Sequence, residues 1–178
     1  MELQTTIHSI RDHIKFQFNI SRQLLEYHLD TLHDEEYLAT GSSQGLHIHK
    51  EGDVWKAEWP ESEGYETGPA SIAWTMWHIT YWWEMVLDHS FDSGTLQRSD
   101  IDCHGNVEAA KEKITALADR WEEMLTNLSD EEFISTDYTK WPFTDLPFHK
   151  VAGWLNLELM KNAAEIGSCR FHYASKSK

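Results

Sequence analysis

Residues 69–87 read PASIAWTMWHITYWWEMVL, a stretch whose one formally charged side chain is Glu84. Ile72, Met76, Ile79, Trp83 and Val86 recur at steps of three and four, the spacing of one helix face. Ala73, Trp74, Trp77, Tyr81, Trp82 and Met85 cover much of the remaining circumference. A helix that is apolar nearly all round is surrounded by other elements, so this segment is expected to be a central helix. Pro69, of a type favoured in a first helical turn, marks its expected start, and Leu87 its end.

Three more helices are expected around it. Ile7, Ile10, Ile14, Phe18, Leu25 and Leu32 fall on one stripe, which predicts a helix over Thr6 to Leu32 with Arg11, Lys15, Arg22 and Glu26 on its surface side. Val107, Ala110, Ile114, Leu117, Trp121, Met124 and Leu128 form another stripe, behind Asn106 as N-cap. A last helix is expected from about Lys150 to Tyr173. Between the first two helices, Leu46 and Ile48 alternate with His47 and His49, and Trp55, Ala57 and Trp59 alternate with Lys56 and Glu58. With Glu51-Gly52-Asp53 between them, these runs read as a short hairpin or a structured loop. Pro142 and Pro147 exclude a continuous helix over Ser129 to His149, which reads as irregular. Helices of this length joined by loops pack on one another, so the fold class is all-α, a bundle of four helices with an insertion between the first and second.

The chain has 178 residues, a length that suits one domain over 1–178 with a sizeable core. Nine Trp, seven Phe and six Tyr supply bulk to that core. Charge is one-sided, 30 Asp and Glu against 15 Lys and Arg, for a net −15. Such a chain repels phosphate backbones and anionic bilayers, so neither nucleic acid nor membrane is an expected partner. Met1-Glu2-Leu3-Gln4 lacks the basic and apolar blocks of a signal peptide, and no run approaches the roughly 18 apolar residues that span a bilayer. Cys103 and Cys169 make no disulfide framework and suit a reducing cytoplasm.

Two places offer chemistry. Glu158, Asn162 and Glu165 share a face of the last helix, in line with Val151, Leu155, Cys169 and His172. Turned inward, that face brings side-chain oxygens into the bundle; turned outward, it leaves Trp154, Leu159, Ala163 and Ile166 to be buried instead. His78 lies on the apolar second helix beside Trp74, Tyr81 and Trp82, where an imidazole ligates a metal, acts as a base, or only hydrogen-bonds. His47 and His49 share a strand face, but two ligands alone make a poor metal site. His8, His13, His28 and His33 read as surface residues.

The run Pro69-Ala70-Ser71-Ile72-Ala73-Trp74-Thr75-Met76-Trp77-His78-Ile79 resembles the second-helix motif of the DinB-like family, which includes proteins similar to bacillithiol- and mycothiol-dependent transferases. Trp154-Leu155-Asn156-Leu157-Glu158, through Asn162 to Ala164-Glu165-Ile166-Gly167, resembles its last-helix motif in part. The resemblance implies an up-down-down-up bundle, often a homodimer, and in many members a divalent metal held by three histidines. The first of those ligands maps onto His78. The other two, a His-x3-His pair, read Glu158 and Asn162 here, so two of three imidazoles are missing. A site of His78, Glu158 and Asn162 implies a changed metal (nickel, zinc or manganese) or none, with Trp74, Trp77, Trp82 and Glu165 as its pocket. Three functions are then open: a metal-dependent thiol transferase or hydrolase acting on a small molecule, a metal-free small-molecule binder, and a structural or interaction domain.

Overall fold

The computed structural model describes residues 2–61 and 64–176, with side chains from His8 onward. Among the described residues, six α-helices, α1 (Glu2–Leu29), α2 (Asp34–Tyr37), α3 (Ile72–Phe91), α4 (Val107–Asn127), α5 (Asp130–Ile134) and α6 (Phe148–Lys176), are joined by loops and one hairpin, β1 (Ile48–Glu51) with β2 (Val54–Ala57).

Side-chain contacts between the four long helices fix their directions. Asn156 Nδ2 donates to the Ile14 carbonyl, and Arg170 Nη1 to that of His28, so α1 and α6 run the same way. Arg11 donates to the Leu125 carbonyl and Lys111 to that of Asp30, so α4 runs against α1. Glu84 pairs with Lys113 and Asp92 with Arg120, which aligns α3 with α4. The result is an up-down-down-up bundle. Its core holds Phe18, Leu25, Met76, Trp83, Val86, Trp121, Leu125, Phe148, Leu155 and Ile166.

The helix limits differ from expectation for local reasons. Pro69 lies outside α3, because the Leu46 N–H donates to the Pro69 carbonyl and the Leu46 carbonyl accepts from Ser71. Ser71 is the N-cap instead, its hydroxyl accepting from the Trp74 N–H. Helix α1 stops at Leu29, short of Leu32, while α6 starts earlier and ends later than expected. Asn106 caps α4 as anticipated, accepting from the Ala109 N–H. Within 129–149, read as irregular, Ser129 and Glu132 form a reciprocal capping box that starts α5. Of the α1 stripe, Ile14, Phe18, Leu25 and Leu32 are buried, Ile10 is half-buried, and the Ile7 side chain lies outside the described residues. Arg11 is not on the surface. Its guanidinium is buried over the Phe133 ring and bonded to Leu125 and Asp130.

The hairpin pairs Ile48 with Ala57 and Glu51 with Val54. Gly52, at φ +63°, takes the first place of its two-residue turn, a conformation that few side chains tolerate. Beyond β2, Trp59 sets its ring edge-on to Trp77 and Tyr81, and Glu58 accepts from the Trp74 indole at 2.6 Å. The insertion is thereby fastened along one face of α3.

Candidate functional site

Helices α3 and α6 run antiparallel and bring His78 against Asn162, although 84 positions separate them. His78 is 6% exposed and Asn162 1%. The Trp82 indole N–H donates to His78 Nε2 at 2.9 Å. An indole nitrogen only donates, so Nε2 must carry the lone pair and Nδ1 the proton. That proton is given to Asn162 Oδ1 at 3.1 Å. The amide orientation agrees, because Asn162 Nδ2 donates to the Glu158 carbonyl at 2.7 Å. Trp74 stacks on the imidazole at 4.7 Å between centroids.

This environment keeps the imidazole neutral. Burial lowers the His78 pKa to about 4, helped by the Lys161 charge; the hydrogen bond to Asn162 and the Glu158 carboxylate pull only partly the other way. Glu158 itself lies at the edge of the α3–α6 seam, with Oε2 2.7 Å from Lys161 Nζ. The last helix therefore takes neither of its two expected orientations whole. It buries Leu155, Leu159, Asn162 and Ile166, leaves Glu158 half-buried, and exposes Glu165.

A cleft of about 720 Å³ opens above His78, between α6 and the segment that follows the hairpin. Trp59 and Trp74 wall it, and Lys161, Glu165, Ser168 and His172 edge it. A second cavity of about 460 Å³ adjoins it and shares Pro69, Ala70, Cys169 and His172. Of the four residues expected in the pocket, Trp74 and Glu165 line the cleft. Trp77 and Trp82 do not. Trp77 packs between Trp59, Trp74 and Tyr81, while Trp82 packs against Tyr81, Trp141 and Trp154. Trp59 and Lys161, which the sequence does not single out, also line the cleft. Lys161 stands three positions after Glu158, a helical pairing distance that was open to inspection. His47 and His49 do not converge, the first ring meeting the Ser42 carbonyl and the second Glu51. His28 is half-buried against Gly167, not a surface residue.

Residues 17–166 match the profile of the DinB superfamily. The chain belongs to that superfamily. No curated protein and no solved structure matches this DinB-superfamily chain.

Membership raises the question of a metal, and the donors present do not fit one. Among the described residues, no three His, Cys, Asp or Glu side chains converge on a point. The Nε2 lone pair already accepts the Trp82 N–H, Nδ1 holds its proton against Asn162, and the Glu158 carboxylate faces Lys161. Freeing Nε2 would leave the half-buried Trp82 indole donor without its acceptor, a loss of about 1 kcal/mol. The void beside Trp82, Glu158 and Asn162 is about 10 Å³, no more than one water needs. What remains for a ligand is a shaped, aromatic-walled space with polar groups at its rim.

Proposed function

We propose that the chain binds a small organic molecule in the cleft above His78, without a divalent metal and without catalysis. The observation that supports this is the occupation of both His78 ring nitrogens by Asn162 and Trp82 directly beneath the cleft. An imidazole so held, with its pKa at about 4, supplies neither a metal lone pair nor a base near neutral pH. It supports Trp74, whose ring and that of Trp59 offer apolar area, while Lys161, Glu165 and His172 orient the ligand's polar end. The cleft also argues against a filled structural domain. We place the protein in the cytoplasm, on two free cysteines, Cys103 and Cys169. No helix among the described residues is long and apolar enough to cross a membrane.

The test joins elemental analysis of tag-free protein to a fluorescence titration with a library of small aromatic compounds. Nickel, zinc and manganese are expected well below one per chain. Ligands that quench tryptophan emission are expected to lose about tenfold in affinity, about 1.4 kcal/mol, in Trp74→Ala. Near-stoichiometric metal that disappears in His78→Ala would overturn this reading and install the metal-dependent thiol transferase or hydrolase in its place.

A further inference from the structure

Two walls of the cleft above His78 are tryptophan rings, and each is held in place from outside it. The Trp74 indole donates to the Glu58 carbonyl, and its ring stacks on His78. Trp59 stands edge-on to Trp77 and Tyr81 and carries the Arg98 guanidinium 4.4 Å from its ring centroid. Arg98 does not line the cleft, so this cation takes the part of the ring turned away from it. Tryptophan is the side chain whose ring face attracts cations best, through its quadrupole. The imidazole behind Trp74 is neutral near pH 7, since burial holds its pKa at about 4, and it repels no positive charge in front of the ring.

The charges around these rings are one-sided. Among the described residues, the cleft is lined by Glu61 and Glu165 against Lys161, and the Lys161 ammonium is already paired, 2.7 Å from Glu158 Oε2. A shallower groove of about 440 Å³ shares Trp59 and Glu61 with the cleft and adds Glu66 and Glu58, whose carboxylate also accepts the His47 N–H. Glu58, Glu61, Glu66, Glu158 and Glu165 thus outnumber Lys161 and Arg98 by five to two. The adjoining cavity contributes Glu36 and Lys176, which cancel, and His172 adds a positive charge only when protonated. Burial and the Glu165 charge raise the pKa of the Cys169 thiol, so the field of that carboxylate is felt inside the cleft.

Taking the cleft as the small-molecule site proposed above, we infer that it selects an organic ammonium ion, with the charge against the Trp59 and Trp74 rings and towards Glu61 and Glu165. An anion would approach a chain of net −15 and meet the carboxylates of the cleft, whose ammonium is committed to Glu158. A neutral molecule would gain the apolar area of the rings and nothing from their quadrupoles or from the field. An ammonium ion carried on an apolar body gains all three. A bare metal ion is not the occupant, because the described residues bring no three ligating side chains together, whereas an organic cation needs only ring faces and carboxylates within reach.

Calorimetric titration of the full chain tests this with phenethylammonium, phenethyl alcohol and hydrocinnamate, three probes that share a phenyl ring and differ in charge. At about 50 mM salt and near pH 7 the ammonium is expected to bind at least about tenfold more tightly than the alcohol, and hydrocinnamate the most weakly. Raising the salt to about 500 mM should shrink that advantage, because the carboxylate field is screened. Glu61→Gln/Glu165→Gln should weaken the ammonium about fivefold and leave the alcohol unchanged, which also shows that the cleft is intact. Trp59→Leu should weaken both probes, the ammonium more. Hydrocinnamate bound as tightly as the ammonium would overturn the choice of a cation while the binding site stands. An ammonium preference undiminished in the double variant would overturn it too, by placing the charge elsewhere. No heat from any of the three at about 10 mM would overturn the binding reading and the inference together.

Discussion

His78 shows how a residue type that suggests chemistry is set to a different task by its neighbours. Its two nitrogens are the only polar atoms it has, and each is matched by a partner of the right polarity. The match holds only for the neutral ring, so protonation must break the bond from Trp82. The folded pKa of about 4 lies below the ordinary 6.5, so the neutral ring's stabilisation is complete above about pH 6.5 and is lost as pH falls towards 4. Going from about pH 7 to about pH 5 should cost the folded state about 2 kcal/mol through this group. Urea midpoints at the two pH values measure the loss, and His78→Gln should show a smaller one; equal losses would mean that His78 does not titrate in this way.

At the scale of elements, caps and contacts decided what the sequence disclosed. The Asn106 cap stood directly before a clean apolar stripe and was legible. The Ser71 cap was hidden behind Pro69, a residue equally suited to a first helical turn. What excludes Pro69 from α3 is its bond to Leu46, which a local reading does not contain. The helix that starts at the Ser129–Glu132 capping box is too short for a periodic pattern, so a stretch that reads as irregular holds α5. Arg11 was misread because its partners, Leu125 and Asp130, come from the far end of the chain. The site was legible to the same depth: residue types on α3 and α6 pointed to it, while the Trp82 bond that closes His78 depends on side-chain orientation. Ser71→Ala removes the acceptor for the Trp74 N–H and should destabilise the chain by about 1 kcal/mol, read as a lower urea midpoint with an unchanged slope. An unchanged midpoint would show that Leu46 holds the helix start unaided.

At the scale of the whole molecule, the seam between α1 and α6 joins the first helix to the last, and it admits no extra atoms at Gly167. A Cβ there would lie 2.5 Å from His28 Nε2, against the last turn of α1, which Arg170 also fastens through the His28 carbonyl. Gly167→Ala gains helix propensity but overpacks the seam, and the second effect should prevail by about 1–3 kcal/mol. Thermal denaturation measures it, and a higher midpoint would mean that His28 swings clear at little cost.

The shared direction of α1 and α6 also decides how this chain tolerates being rewired. Because both run the same way, the first turn of α1 and the last turn of α6 sit at opposite poles. The 28 residues of α1 alone rise about 40 Å. A circular permutant that joins the two poles therefore needs a connector of well over ten extended residues laid along the bundle, and a short one would tear an end loose. Labels attached in the first turn of α1 and the last turn of α6 would, for the same reason, be held apart by the length of the bundle.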